Sequence, residues 1–331
     1  MSDALRPYLE AATLDDLLRE VMTKIYEDGA PIASSMSGAN KEIWGATLVL
    51  TNPLARVSRS ETRGKIFSPL GEFCWYLSGS DSAAFIDYYI TEGYPNRLPD
   101  ATVFGAYGPR LRPADGSDQI EQVIAILRRK RESRRAVIQI FDSSDNRQPD
   151  QSLQPPCTCT LQFLVRHGAL HLVTYMRSND VVLGMTHDVF CFTMIQELVA
   201  RSLDLPLGTY THVAGSLHIY DRHAEKVAAY LGEDWQQTAP VMPPMPPGDP
   251  FPGLKSLLVQ EGRLRHVGPD TDVELPEEEY WADLVRLLQL YALTPVGPLP
   301  PEHRPRIAAL TSDLACRAYG PFVTQRVDGR A

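Results

Sequence analysis

The chain has 331 residues, room for one large domain or a domain with an appendage, and 32 basic against 41 acidic side chains leave it at −9. That balance argues against bulk binding of nucleic acid, which favours basic surfaces, and leaves a small anionic substrate served by local arginines. Five cysteines, an odd number without paired spacing, fit a reducing, cytoplasmic setting; Met1-Ser2-Asp3 lacks the basic region of a leader, and no apolar run approaches the length of a membrane helix.

Thr13 opens an amphipathic helix carrying Leu14, Leu17, Leu18, Val21, Met22 and Ile25 on one face and ending near Gly29. Residues 43–51 read as a strand. Ser68-Pro69 is an N-cap with proline in the first turn, and Gly79 closes that helix, which carries Glu72 beside Cys74, Trp75 and Tyr76. The pattern then predicts a helix over 119–130 and a strand over 136–141. Residues 158–165 are strand-like by composition, His167-Gly168 is a turn, and 170–175 is the return strand. A long apolar helix over 188–203 reads as core. The strand over 209–220 bears His212 and His218; a lone histidine in a strand is more often structural, and His212 takes that reading. Seven prolines in the fifteen positions 239–253 make a linker or extended wrap, not a helix. Helices are expected over 277–293 and 305–318. No internal repeat is visible. The expected class is α+β, a mixed β-sheet packed with helices. Residues 1–235 form the catalytic domain, and 236–331 form a proline-rich connection and a helical segment packed on the same domain.

Chemistry concentrates at Gln154-Pro155-Pro156-Cys157 and Arg177-Ser178-Asn179-Asp180. Two prolines stiffen the approach to Cys157 and remove two amide donors. A hairpin of this length returns Arg177 toward the Cys157 end, and a nearby cation lowers a thiol pKa and supplies thiolate. A buried structural cysteine is the other reading, and spacing alone leaves both open. Cys157-Thr158-Cys159 is not a metal spacing, since no second Cys or His pair accompanies it; Cys159 is assigned to the core and no metal is expected.

Five motifs in order make the pattern specific. Arg177-Ser178-Asn179-Asp180-Val181-Val182-Leu183-Gly184 resembles the signature after the nucleophile of thymidylate synthases. Glu132-Ser133-Arg134-Arg135 resembles that family's paired arginines. Gly71-Glu72-Phe73-Cys74-Trp75-Tyr76-Leu77-Ser78-Gly79 is similar to its catalytic-glutamate helix, Ala106-Tyr107-Gly108 to its active-site tyrosine loop, and Gly215-Ser216-Leu217-His218-Ile219-Tyr220 to its sugar-binding strand. The match in order and spacing runs from about residue 14 to 225. The resemblance implies that Cys157 adds to C6 of a pyrimidine. It implies that Arg177, Ser178 and, from a partner subunit in a homodimer, Arg134 and Arg135 hold the 5′-phosphate of a pyrimidine nucleoside monophosphate. His218 and Tyr220 then bond the sugar, Glu72 and Tyr107 organise proton transfers at C5 through water, and Asp180, with Gly184 after it, meets the pterin of 5,10-methylenetetrahydrofolate. These roles are physically coherent. Attack at C6 turns C5 into a carbon nucleophile, planar arginine forks suit a phosphate dianion, and a glutamate beside Trp75 in an apolar helix can have a raised pKa.

Departures from the family point to a different base. Met185-Thr186-His187-Asp188 follows Gly184, where thymidylate synthases have Pro-Phe-Asn at the last three positions. Their asparagine reads the uracil edge, because an amide both donates and accepts. A carboxylate at Asp188 suits the cytosine amine, and its proton can serve N3. The same replacement marks the branch that resembles CMP and dCMP 5-hydroxymethylases; a helix cap at Thr186 or Asp188 is the alternative. No tryptophan lies between Trp75 and Trp235, and the chain ends Asp328-Gly329-Arg330-Ala331, not in an apolar tail. A wetter site lets water trap an exocyclic methylene as hydroxymethyl. Thr158 and Met176 replace the family's histidine after the nucleophile and glutamine before the arginine. The loop Ser34-Ser35-Met36-Ser37-Gly38-Ala39-Asn40 lacks the family's arginine, and Arg56, Arg59 and Arg63 are read as solvated surface charges. The leading expectation is a folate-dependent C5 hydroxymethylase of CMP or dCMP. The alternatives are a thymidylate synthase acting on dUMP and a non-catalytic nucleotide-binding paralogue, the last opposed by the joint presence of Cys157, Glu72, Tyr107 and the arginines.

Overall fold

The computed structural model describes residues 7–33, 35, 38–60, 64–90, 96–113, 115–147, 150, 153–233 and 241–329. A short strand β1 (Tyr8–Ala11) leads into α1 (Leu14–Asp28), whose first turn is capped by the Thr13 side chain accepting from the Asp16 amide. The six apolar residues picked out by helical spacing are all buried there, each contributing about 1.5–3 kcal/mol of transfer free energy. Strands β2 (Ala30–Ile32) and β3 (Asn40–Leu50) follow, then α2 (Phe67–Leu77), α3 (Ala83–Tyr89), α4 (Gly108–Leu111), α5 (Gln119–Arg129) and β4 (Val137–Gln139). The hairpin β5 (Thr158–Arg166) and β6 (Ala169–Asp180) turns at His167 and Gly168, both at positive φ, as a two-residue hairpin turn requires. Helix α6 (Met185–Ser202) and strand β7 (Leu207–Tyr220) complete the centre.

The strands form one mixed sheet in the order β1-β3-β7-β6-β5-β4, with β2 on β3. β7 runs parallel to β6 and antiparallel to β3, which sets the end of β6 beside the end of β7: Ser178 pairs with Ser216 and Asp180 with His218. Alternation along the strands divides the faces. Leu170, Leu172, Thr174 and Met176 are buried on the helix side, where α6 packs on β6 and β7 and α2 packs on α6. Tyr175, 44% exposed, and Val137, 38% exposed, mark the other side.

Helix α6 is buried all round from Met185 to Ala200, the pattern of a central helix. It begins at Met185 rather than Asp188, so Asp188 stands within the first turn and is not its cap. Helix α2 likewise begins at Phe67, with no side-chain cap; Ser68, expected as the N-cap, instead sets its hydroxyl 3.2 Å from His187 Nε2. Arg56 is not a surface charge. It is fully buried in an ion pair with Glu197 (2.5 Å), whose other oxygen accepts the Met245 amide at 2.7 Å. Cys159 is half-buried instead of lying in the core.

After α7 (Ala224–Gly232), the described proline-rich residues 241–250 form neither helix nor strand, and then α8 (Phe251–Val267) begins where the proline content predicts no helix. Its proline falls in the first turn, where the missing amide costs no helical bond, and Leu254, Leu257, Glu261 and Leu264 form its buried stripe. Helix α9 (Glu279–Leu293) packs on α8 and on α2. The predicted helix over 305–318 is α10 (Arg304–Ser312), which stops at Asp313 before a separate α11 (Gly320–Asp328). Asp283 accounts for the break: it accepts the Ala315 and Cys316 amides (3.0 and 2.8 Å) and so fixes the turn between them. Among the described residues no helix is long and apolar enough to cross a membrane, and no cluster of three His, Cys, Asp or Glu is arranged to hold a metal ion.

Candidate active site

Cys157 lies just before β5, and the hairpin does bring Arg177 back to it: the Arg177 amide donates to the Cys157 carbonyl at 2.8 Å. The guanidinium then holds the proline turn, Nε donating to Pro156 O (3.0 Å) and Nη2 to Pro155 O (2.6 Å), while Nη1 has no hydrogen bond among the described residues. From the far side, Gly105 at φ +79° presses on Pro156. A Cβ there would meet the ring at 3.2 Å in a conformation that L side chains avoid. Gly105 thereby sets the following Tyr107, whose buried hydroxyl accepts the Thr158 amide at 3.1 Å.

The thiol corrects the expectation of a resting thiolate. Burial pushes Cys157 above the ordinary thiol range, and the Arg177 charge, though it pulls the other way, does not win; Asp188 and Asp180 add to the upward push. Cys157 is therefore a protonated nucleophile until a ligand changes its surroundings. Tyr107 is also raised, by burial first and then by Asp188 and Cys157, so it stays a neutral hydroxyl.

Two carboxyls meet where α2 packs on α6. Glu72 accepts the Tyr76 hydroxyl on Oε1 (2.8 Å), and its Oε2 lies 2.6 Å from His187 Nδ1. Asp188 is pushed up to about 8, by burial first and then by the Glu72 charge, against the Asn179 hydrogen bond. That bond runs from Asn179 Nδ2 to Asp188 Oδ2 at 2.7 Å. Behind it, Asn179 Oδ1 is 3.1 Å from His212 Nε2, and His212 Nδ1 is 2.8 Å from the Tyr210 hydroxyl. Burial holds His212 down to about 4, so its ring is neutral and has one N–H to give. The chain of donors then runs Tyr210 to His212 to Asn179 to Asp188, and Oδ2 is an acceptor. The Asp188 proton consequently sits on Oδ1, which has no hydrogen bond among the described residues. Gly184 makes room for this pair: a Cβ there would come within 3.1 Å of Asn179 Nδ2 and 3.3 Å of Asp188 Oδ2.

Asp180, at the end of β6, accepts the Val182 and Leu183 amides on Oδ1 (2.7 and 3.1 Å), whereas its Oδ2 is buried without a partner among the described residues. That orphaned oxygen fits a ligand donor such as the pterin of a folate. His218, opposite Asp180, is pushed down by burial against the pull of Asp180 and Glu42; its ring meets Tyr220 edge-on at 4.8 Å. Ser178 lies on β6 between Arg177 and these groups. Arg134 and Arg135 are exposed before β4 and are not among the groups that act most strongly on Cys157, which are Arg177, Asp188, Cys159 and Asp180. Within one chain, then, the structure gathers Cys157, Arg177, Tyr107, Glu72, Asp188, Asp180, Ser178, His218 and Tyr220, and sets Arg134 and Arg135 apart.

A family model for thymidylate synthase matches residues 60–243, more than half of the chain. The chain belongs to the thymidylate synthase family. A thymidylate synthase of Mycoplasma pneumoniae is 34% identical over 125 residues, covering 38% of this chain and 42% of that protein. The chain thus spans less than half the length of this curated relative. Among solved structures, thermostable thymidylate synthase A from Bacillus subtilis superposes with a TM-score of 0.57 at 20% identity, over 68% of this chain and 86% of that one. That likeness is one of fold, and it agrees with the mixed sheet and its helices.

Against the thymidylate synthase pattern, the sequence gives no role to four side chains that the structure places at the candidate site. His187 stands inside the departing Thr186-His187-Asp188 triplet, where nothing in the sequence assigns it a role. Asn179 stands inside the Arg-Ser-Asn-Asp motif. His212 reads as structural, yet it shares a strand face with Tyr210 by simple alternation, and that face leads to Asn179. Arg222 lies 4.1 Å over the Tyr220 ring, with Nη1 3.6 Å from where a Gly38 Cβ would be, so it brings charge to the loop that lacks an arginine. Of that loop, Ser34, Met36 and Ser37 lie outside the described residues, as do Arg63, Trp235, Arg330 and Ala331.

Proposed function

We propose that this chain is a one-carbon transferase that hydroxymethylates C5 of CMP or dCMP, using 5,10-methylenetetrahydrofolate. The observation that carries this reading is Asp188, a carboxyl that burial keeps protonated, with Asn179 donating to Oδ2 and Oδ1 left to carry the proton. Cytosine must gain a proton at N3 as sulfur adds to C6, and it offers an amine at C4. A carboxylic acid can give the first and, once ionised, accept from both.

In this reading the Cys157 thiol loses its proton to solvent as the nucleotide docks, and the sulfur bonds to C6. The Asp188 proton passes to N3, and C5 becomes an enamine-type nucleophile. Asp180 and Gly184 would hold the folate, which would supply a one-carbon unit at the oxidation level of formaldehyde and leave as tetrahydrofolate. Glu72, through water, takes the C5 proton and directs a water molecule to the exocyclic carbon; N3 then returns its proton to Asp188 as Cys157 is expelled and the C5–C6 double bond re-forms. Tyr107 holds the Thr158 amide beside the nucleophile. Arg177 and Ser178, with Arg222 near Gly38, receive the 5′-phosphate, and His218 and Tyr220 the sugar. His187 in place of the family's phenylalanine, and the lack of tryptophan between Trp75 and Trp235, favour a hydrated site and hence hydroxymethyl over methyl.

Both named relatives are thymidylate synthases, which favours methylation of dUMP as the second reading. Tritium release from C5-labelled CMP, dCMP and dUMP, with the products weighed, separates them. Release from a cytidine nucleotide with a product heavier by one CH₂O unit is expected. Release from dUMP alone, with a methyl product and dihydrofolate, would overturn the cytidine reading.

The protein is further proposed to be a homodimer through the sheet face that bears Tyr175 and Val137, with Arg134 and Arg135 lent to the partner's phosphate site. Mixing Cys157→Ala chains with Arg134→Ala chains, each inactive alone, should then restore about a quarter of wild-type activity by forming one intact site per mixed dimer. No recovery after verified chain exchange would place the arginines in cis.

A further inference from the structure

We propose that His187 is a positioning residue: its ring pins the Glu72 carboxylate between α2 and α6 and so holds a fixed charge beside Asp188. This rests on the reading of Asp188 as the acid that serves the pyrimidine.

The geometry is that of a clamped carboxylate. Glu72 and His187 are buried, 4% and 7% exposed. Ser68 Oγ sits 3.2 Å from Nε2, and Glu72 Oε2 sits 2.6 Å from Nδ1. A serine hydroxyl donating to Nε2 fixes the tautomer that points Nδ1–H at the carboxylate, as an outer partner orients a ligating or catalytic histidine. With Tyr76 on Oε1, both Glu72 oxygens are acceptors, and an ionised carboxylate is the form that only accepts. A phenylalanine, the residue that the family resemblance places here, offers no such donor.

The consequence reaches Asp188 one residue on. The Glu72 charge is one cause of its retained proton. Other groups facing the pair add no competing charge near neutrality. Cys191 on α6, Tyr107 before α4 and Tyr210 on β7 are raised by burial, and His212 on β7 is lowered to about 4. Cys157 is a thiol at rest; Arg177 and Asp180 on β6 carry opposite charges. Without the His187 clamp, the Glu72 carboxylate is no longer fixed against α6, the part of the Asp188 shift that its charge causes weakens, and Asp188 ionises at lower pH. A negative Asp188 then faces Cys157, which it already acts to raise.

That last step gives a test that needs neither nucleotide nor folate. Alkylation of Cys157 by iodoacetamide is followed against pH in the full chain, with the labelled peptide identified by mass. His187→Phe should slow labelling at pH 7 by about 3-fold to 10-fold, since the thiolate fraction falls roughly tenfold when the thiol pKa rises by one. His187→Gln, which keeps an N–H donor, should restore the wild-type profile. If His187→Phe does not fold, Glu72→Gln removes the same charge and should slow labelling alike. A His187→Phe protein that folds and labels with the wild-type profile overturns the proposal, as does Glu72→Gln without effect. If tritium release from every cytidine nucleotide also fails, the substrate reading falls while the labelling result stands on its own.

Discussion

Replacing Asp188 with asparagine is expected to abolish tritium release from CMP and dCMP and to leave dUMP as the better substrate. The amide keeps the shape and keeps an oxygen for Asn179 Nδ2, which lies 2.7 Å from Asp188 Oδ2, so the Tyr210, His212 and Asn179 chain survives. It has no proton to transfer. Uracil needs none at N3; its O4 takes a hydrogen bond and its N3–H gives one, a demand that an amide meets. The loss in kcat/KM on cytidine nucleotides should reach about 100-fold or more, the lower end of what a positioned general acid contributes. A pH profile sharpens the test. In the wild type, activity on cytidine nucleotides should fall as pH rises through about 8, because the ionised Asp188 has lost the proton that N3 requires. Asp188→Asn should lack that limb on dUMP. A variant that keeps cytidine activity within a few-fold, with the same high-pH decline, would show that the proton comes from elsewhere.

How much of this is legible in the sequence depends on how local each signal is. The amphipathic face of α1, the two-residue turn of the β5–β6 hairpin and the buried α6 are written in short-range periodicity, and they stand where the sequence places them, save that α6 starts one turn earlier, at Met185. Ordered motifs carry Cys157, Arg177, Glu72, Tyr107 and Asp188 into one neighbourhood. What escapes depends on partners far along the chain. Arg56 looks like any surface arginine until Glu197, 141 residues later, is seen against it. Helix α8 hides its stripe behind Pro252 and many polar residues, and distant partners such as Tyr89, 2.9 Å from Glu261, show which face it buries. His187 carries no signal of its own, because its meaning comes from Glu72, 115 positions upstream. The thiolate expectation for Cys157 fails for the same reason. Spacing shows the cation but not the depth of burial, and burial is the larger effect.

Replacing Cys157 with alanine should remove catalysis while sparing nucleotide binding, and the contrast with serine should show why. Turnover should fall by about 10⁴-fold or more in Cys157→Ala, the scale on which loss of a covalent nucleophile is felt. Binding should hold, because the phosphate and sugar contacts assigned to Arg177, Ser178, His218 and Tyr220 do not involve the sulfur. Cys157→Ser should be nearly as inactive: a half-buried thiol already held above its ordinary range still ionises far more readily than a hydroxyl in the same place. The wild-type thiol has to lose its proton as the nucleotide arrives. Arg177 is the group that favours this, since its charge pulls Cys157 downward and its Nε and Nη2 are fixed on Pro156 and Pro155. Arg177→Lys should therefore cost kcat as well as phosphate affinity, because a lysine cannot hold both carbonyls and still keep its charge in place. Acid quench followed by intact mass reads the outcome. Wild-type protein with nucleotide should show a covalent adduct, Cys157→Ala none, and Arg177→Lys less at equal occupancy. Turnover within tenfold of wild type in Cys157→Ala, with nucleotide bound and no adduct in either protein, would mean that C5 is activated without a sulfur bond.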